Sequence, residues 1–218
     1  MTHEVALAAF TLVLAGFATA ASAAEDDHAG RRASRPERPA WEFGLTAYPT
    51  FVRDGENFTS VVAVGDQGPL HLEARYDYES IGARSGFVGW TFSGGQSIAW
   101  ELTPLLGGVW GTTRGFVPGL EAALGWKSLD FYLEAEYVRS SIDVKDSYVY
   151  AWSELGYRPF EWLRIGLAGQ RTNVYDSGRD IQRGPFVQFT WHRVTIGGYW
   201  FNPGSSDQLV VSMLNVSF

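Results

Sequence analysis

From Trp41 to the last residue, apolar and polar side chains alternate with a period of two, broken at short intervals by clusters of Gly, Pro, Asn, Asp and Ser. A strand sends successive side chains to opposite faces, so this pattern predicts strands with one apolar face each. Strands are expected near 41–52, 57–66, 69–79, 84–94, 96–110, 114–126, 129–140, 146–157, 161–171, 180–192, 193–201 and 207–218. That makes about twelve, with ten as the runner-up because 57–66 and 193–201 are the weakest segments. No stretch repeats at the period of a propeller or solenoid.

The last eleven residues, QLVVSMLNVSF, carry the pattern to the end of the chain. Val210, Ser212, Leu214, Val216 and Phe218 share one face, and Val211, Met213, Asn215 and Ser217 the other. A terminal strand with a free edge invites pairing with other chains, and a closed barrel removes that edge. A terminal Phe218 preceded by Val216, Leu214 and Val210 resembles the assembly signal of Gram-negative outer-membrane β-barrels. The resemblance implies an all-β fold: a closed antiparallel up-and-down transmembrane β-barrel over 41–218, inserted by the barrel-assembly machinery as a monomer. An even strand count would leave both termini periplasmic. The architecture is also similar to that of small monomeric porins, without any shared motif.

The segment before the barrel fits export. Val5 to Ala20 is apolar and Ala21 to Ala23 (ASA) supplies small residues for cleavage, so residues 1–24 read as a signal peptide. The leading MTHE is off pattern, with Glu4 and no Lys or Arg. Residues 25–40 mix charge and proline without periodicity and read as a flexible periplasmic tail. Arg31 and Arg32 follow the apolar run, so they are not a twin-arginine signal.

Turn lengths assign the two ends. DQGP, SGGQ, WKSLD, YRPFEW and HRV are the expected periplasmic connections, whereas RDGEN, GTTRG, SSIDVKD, TNVYDSGRD and NPGSSD are generally longer and expected outside. Trp41, Trp126, Trp162 and Trp191 fall at the first end, Trp110 and Trp200 at the second, as interfacial girdles require. Pro49, Pro104, Pro118 and Pro185 lie inside strands, where each loses a ladder bond; they predict bulges or rim positions.

Charge sets which face points inward, because the lipid band penalises it and a lumen tolerates it. In HLEARYDYE, His71, Glu73, Arg75, Asp77 and Glu79 share a face, opposite Leu72, Ala74, Tyr76 and Tyr78. Glu42, Glu101, Glu121, Glu134, Glu136, Glu154 and Arg164 are also expected inside. The lumen is then strongly acidic, and a dry interior would not hold so many unpaired charges. Either water fills it, the favoured reading, or Glu–Arg–Tyr hydrogen bonds seal it. Tyr132, Tyr148, Tyr150 and Trp152 share the inward parity; they could stack a solute or simply occupy space. Arg53, Arg84, Arg114, Arg139, Lys145, Arg171, Arg179 and Arg183 gather at the expected outer end, where lipopolysaccharide phosphates are natural counter-ions.

The chain has no cysteine and carries 17 Lys+Arg against 24 Asp+Glu, a net charge of -7, so neither thiol chemistry nor nucleic-acid binding is favoured. After the signal peptide only His28, His71 and His192 remain, none near an expected outer loop, so no Ser/His/acid triad is assembled. No catalytic residue, metal site or cofactor is expected. The expected function is a narrow, cation-favouring passive channel for small solutes or ions. The alternatives are a closed structural or assembly barrel with a periplasmic partner and, less favoured, a lipid-modifying outer-membrane enzyme.

Overall fold

Alternation becomes strand throughout the computed structural model, which describes residues 39–174 and 178–218. The expected signal peptide, nearly all of the tail and the centre of TNVYDSGRD lie outside the described residues. Thirteen hydrogen-bonded segments follow one another: β1 (Glu42–Val52), β2 (Phe58–Gln67), β3 (Leu70–Tyr76), β4 (Arg84–Trp90), β5 (Phe92–Gly94), β6 (Ala99–Trp110) and β7 (Gly115–Trp126). Then come β8 (Leu129–Ser140), a short 3-10 turn at Val144–Asp146, β9 (Tyr148–Phe160), β10 (Leu163–Val174), β11 (Gly178–Trp191), β12 (Val194–Phe201) and β13 (Leu209–Ser217). β4 and β5 pair with β6 on one unbroken register, Gly89 opposite Leu105 and Phe92 opposite Leu102, so they are a single strand. The barrel therefore has twelve strands.

Each strand pairs antiparallel with its neighbours in sequence, and β1 pairs with β13 to close the ring. Both ends of the barrel chain emerge together, since Gly44 faces Ser217 across that seam. The connections β2–β3, β5–β6, β7–β8, β9–β10 and β11–β12 share that end and are short, and at the opposite end β1–β2, β3–β4, β8–β9 and β12–β13 are longer. Beyond the last strand residue, Phe218 N donates to the Phe43 carbonyl and Phe43 N to that of Phe218, both at 2.9 Å. Their rings stack at 5.9 Å.

The prolines depart from expectation. Pro49, Pro104, Pro118 and Pro185 each keep an in-register partner on one side: Thr59, Leu120, Leu106 and Leu167 respectively. On the other side the ladder lapses beside each proline without a shift in register. A missing N–H removes a bond but does not require an extra residue. The Trp90–Phe92 break in the fourth strand lies opposite Pro104 for this reason. The register shift that does occur lies between β9 and β10 at Leu163/Ile165, near Pro159.

Outside, Leu45, Leu72, Val88, Leu106, Leu124, Leu155 and Ile196 are exposed, forming an apolar band that in water would be an aggregation surface. Aromatic rings border it at both ends. Trp41–Phe43, Phe160–Trp162 and Trp162–Phe189 stack at the short-turn end, while Phe51, Trp110, Phe116 and Trp200 are exposed toward the other. An apolar belt between aromatic girdles on a closed sheet is what a bilayer demands. The alternate positions Val210, Leu214, Val216 and Phe218 belong to this outer surface.

Removing Phe218, or making Phe218→Ser, should sharply reduce membrane insertion, because the seam loses its ring stack and, in the deletion, its reciprocal backbone bonds. The amount of heat-modifiable protein in membrane fractions measures this; equal yields from variant and parent would contradict it.

Candidate functional site

Closing the sheet turns the polar face of every strand toward one lumen, and the residues that fill it form two ion-pair networks. The first centres on Arg75 of β3, whose side chain is fully buried. Its Nε and Nη2 donate to Glu73 Oε1 and Oε2 at 2.7 and 2.9 Å. Nη1 lies 2.8 Å from Glu136 Oε1, 3.2 Å from Glu134 Oε1 and 3.9 Å from Glu79 Oε1. The guanidinium sits between the Tyr78 and Phe87 rings, 4.3 Å from each centroid. Glu134 and Glu136 stand on β8, beyond the β4/β5 strand, β6 and β7, so this network crosses the lumen. Tyr78 extends the crossing: its hydroxyl donates to Glu134 Oε1 at 2.8 Å and its ring meets the edge of Tyr150.

Tyr78 was expected on the lipid face. It is instead buried, because β3 ends at Tyr76 and Asp77 takes a positive φ of 54°. That residue breaks the alternation, its carboxylate accepts from Gly82 N at 2.7 Å, and Tyr78 and Glu79 both turn inward.

The second network lies nearer the short-turn end, on Arg164 of β10. It donates to Asp130 and to Glu154, and at 3.2 Å to Gln188, while its guanidinium rests over the Phe186 ring. Trp152 Nε1 donates to Glu154 and Gln188 Nε2 donates to the Tyr199 hydroxyl, tying in β12. The close pairing needs a bare backbone at Gly156, where a Cβ would lie 2.5 Å from Arg164 Nε and 2.6 Å from Asp130 Oδ1.

The remaining inward residues sort themselves around these centres. Glu121 is partly buried and accepts from the Tyr132 hydroxyl at 3.0 Å. Glu101 faces inward, half-buried, whereas Glu42 sits at the exposed rim. Tyr148 is partly buried and donates to the Glu79 carbonyl at 3.2 Å. Trp152 packs edge-on against Tyr199 and Phe201, and with Tyr48, Val62 and Val211 fills an apolar sector of the interior. The lumen is therefore lined by an acidic sector and an apolar sector, and side chains bridge it at the level of Arg75. At that level a guanidinium gathers carboxylates across the gap, as in the sealed alternative to the favoured water-filled lumen. His71 is inside and bonded to Asp66, while His192 occupies an exposed turn beside Trp191.

Several lumen residues were invisible to charge counting. Asp130 sits one residue into β8 and reads as part of a turn, yet it is buried against Arg164. Gln170, Gln182 and Gln188 are uncharged and so mark no face, although all three are buried; Gln170 Nε2 donates to Gln182 Oε1.

No protein-family model matches the chain, and no curated protein does. Two similar solved structures are a KdgM porin (13% identity, TM-score 0.55, covering 80% of this chain and 99% of that one) and a KdgM porin in complex with disordered oligogalacturonate (10% identity, TM-score 0.54, covering 81% and 98%). This chain has their barrel fold. At such identity the likeness to the KdgM porins shows the fold alone, and the lumen chemistry must be read from this chain's own residues.

Replacing Arg75 by Met leaves Glu73, Glu134 and Glu136 facing one another without their cation, which should destabilise the refolded barrel by about 3–5 kcal/mol. Gly156→Ala should also lower stability by driving Arg164 from Asp130. Urea unfolding followed by tryptophan fluorescence reads both, and unchanged midpoints would show that these networks do not hold the barrel together.

Proposed function

We propose that this protein is an outer-membrane, porin-like channel: a narrow, monomeric path for small solutes that favours cations over anions. The observation carrying this reading is the acidic excess of the lumen, where Glu73, Glu79, Glu134 and Glu136 surround the single guanidinium of Arg75. A field of that sign concentrates cations and repels anions. The fold likeness to the KdgM porins supports a channel. One of those structures holds oligogalacturonate, a carboxylate-bearing sugar chain; the acidic wall here argues for a different solute class. Glu101 and Glu121 extend the acidic sector toward the short-turn end, and Tyr132, Tyr148, Tyr150 and Trp152 narrow the path.

The longer loops are assigned to the cell exterior and both termini to the periplasm. Arg84, Arg114, Arg139, Arg171 and Arg183 are exposed at the long-loop end, in position to meet lipopolysaccharide phosphates. The alternate apolar residues ending in Phe218 are the proposed signal for the barrel-assembly machinery. A closed structural barrel is the second reading, favoured by the Arg75 bridge across the lumen.

Bilayer recording on refolded protein decides between them. The channel predicts discrete conductance with a reversal potential set by the cation. Glu101→Gln with Glu134→Gln keeps size and hydrogen bonding, and should move the permeability ratio toward unity, less so in high salt. No conductance selects the closed barrel; an open channel with unchanged selectivity in the double variant would sink the acidic pathway. Epitope tags within Asn202–Asp207 should be reachable by antibody on intact cells, whereas tags at the Phe160–Trp162 turn should not. The opposite labelling would reverse the orientation.

A further inference from the structure

One histidine in the lumen is held in a way that neither network explains. His71 and Asp66 face each other across the β2–β3 hairpin, and the His71 Nδ1–Asp66 Oδ1 distance is 2.7 Å. A carboxylate accepting from Nδ1–H leaves the lone pair on Nε2. That Nε2 has no hydrogen-bond partner among the described residues, although His71 exposes only 6% of its surface. It points toward Glu73, whose Oε2 is 3.8 Å away. Glu121 comes from β7, and one donor atom from each of His71, Glu73 and Glu121 lies within 4.8 Å of the others.

We propose that His71 Nε2, Glu73 and Glu121 form a divalent transition-metal site of the zinc class inside the barrel, with Asp66 orienting the imidazole. One nitrogen and two carboxylate oxygens, with the fourth position left to lumen water, is a donor set zinc takes. Bonds of about 2.0–2.1 Å at tetrahedral angles put donors about 3.3 Å apart, so the His71–Glu73 separation of 3.8 Å and a span of up to 4.8 Å to Glu121 close with side-chain shifts of about an ångström. The ligands are themselves supported: Arg75 holds both oxygens of Glu73, and the Tyr132 hydroxyl holds Glu121. Each carboxylate oxygen has a second lone-pair direction free for a metal. The local charge also asks for a cation, because Glu134 and Glu136 compete with Glu73 for Arg75. The imidazole nitrogen favours zinc or cobalt over magnesium or calcium, which prefer oxygen alone. The rival arrangement is a protonated imidazole bridging Asp66 and Glu73, which binds no metal. The site stands whether or not the barrel conducts.

Calorimetric titration of zinc chloride into the refolded, untagged barrel in detergent tests this, with heat-modifiable mobility as the check on folding. One zinc per barrel is expected, with cobalt giving visible d–d absorption on the same site. His71→Gln and Glu121→Gln should each weaken zinc by at least about tenfold, and Asp66→Asn by about tenfold through loss of the orienting bond. Glu161→Gln, in the exposed β9–β10 turn, should bind as the parent does. Should His71→Gln fail to fold, Glu121→Gln carries the test alone. The proposal is overturned by absence of zinc binding, by binding that survives loss of these ligands, by equal loss in Glu161→Gln, or by magnesium or calcium binding as tightly as zinc.

Discussion

The pairing of β1 with β13 is the contact on which the rest of this structure depends. In hydrocarbon no water can satisfy a strand's outward N–H and C=O groups, so an open sheet edge is not tolerated there. The seam running from Gly44–Ser217 to Val52–Leu209, extended by the mutual bonds of Phe43 and Phe218, removes both edges at once. Closure then creates an inside. Every strand must bring apolar residues to the lipid and find something for its other face to do.

What the other face does is shaped by loop length. No connection among the described residues exceeds seven residues, and the lumen is lined by side chains of the wall itself. In the apolar sector Trp152, Tyr199 and Phe201 interlock as in a soluble core. In the acidic sector carboxylates converge on Arg75 and Arg164, cations that keep their charge when buried and offer several directed N–H groups. Buried ion pairs add less net stability than their number suggests, since desolvation offsets much of the attraction. Their value here is geometric: Arg75 draws β3 and β8 together across the lumen, and Arg164 binds β8, β9, β10 and β11 along one wall.

Strand number, closure and facing were legible because a single physical rule, charge inward and apolar outward, acts on every second residue. The limits of that rule are local. Asp77 has a left-handed backbone, and one such residue shifts Tyr78 from the lipid face to the Arg75 network. Asp130 adjoins a turn, so its charge looks solvated until Arg164 is placed beside it. The prolines signal a lost bond, but whether register shifts depends on the number of residues between them and their neighbours. Cross-lumen contacts such as Tyr78–Glu134 were beyond reach altogether, since alternation gives the direction of a side chain and not its reach across the barrel.

The two sectors together constrain any path through the lumen. The apolar sector offers an ion nothing to replace its hydration, so in the proposed channel a cation would travel along the acidic wall. There it would meet carboxylates already shared with Arg75. In the proposed channel the Arg75 guanidinium would compete with a cation for the oxygens of Glu73, Glu134 and Glu136. Anions would face the same carboxylates, and among the described residues Arg75, Arg164 and Arg158, which offset them, are each already paired with a carboxylate. The proposed selectivity would reside in the wall itself, because strand register decides which side chains face the lumen.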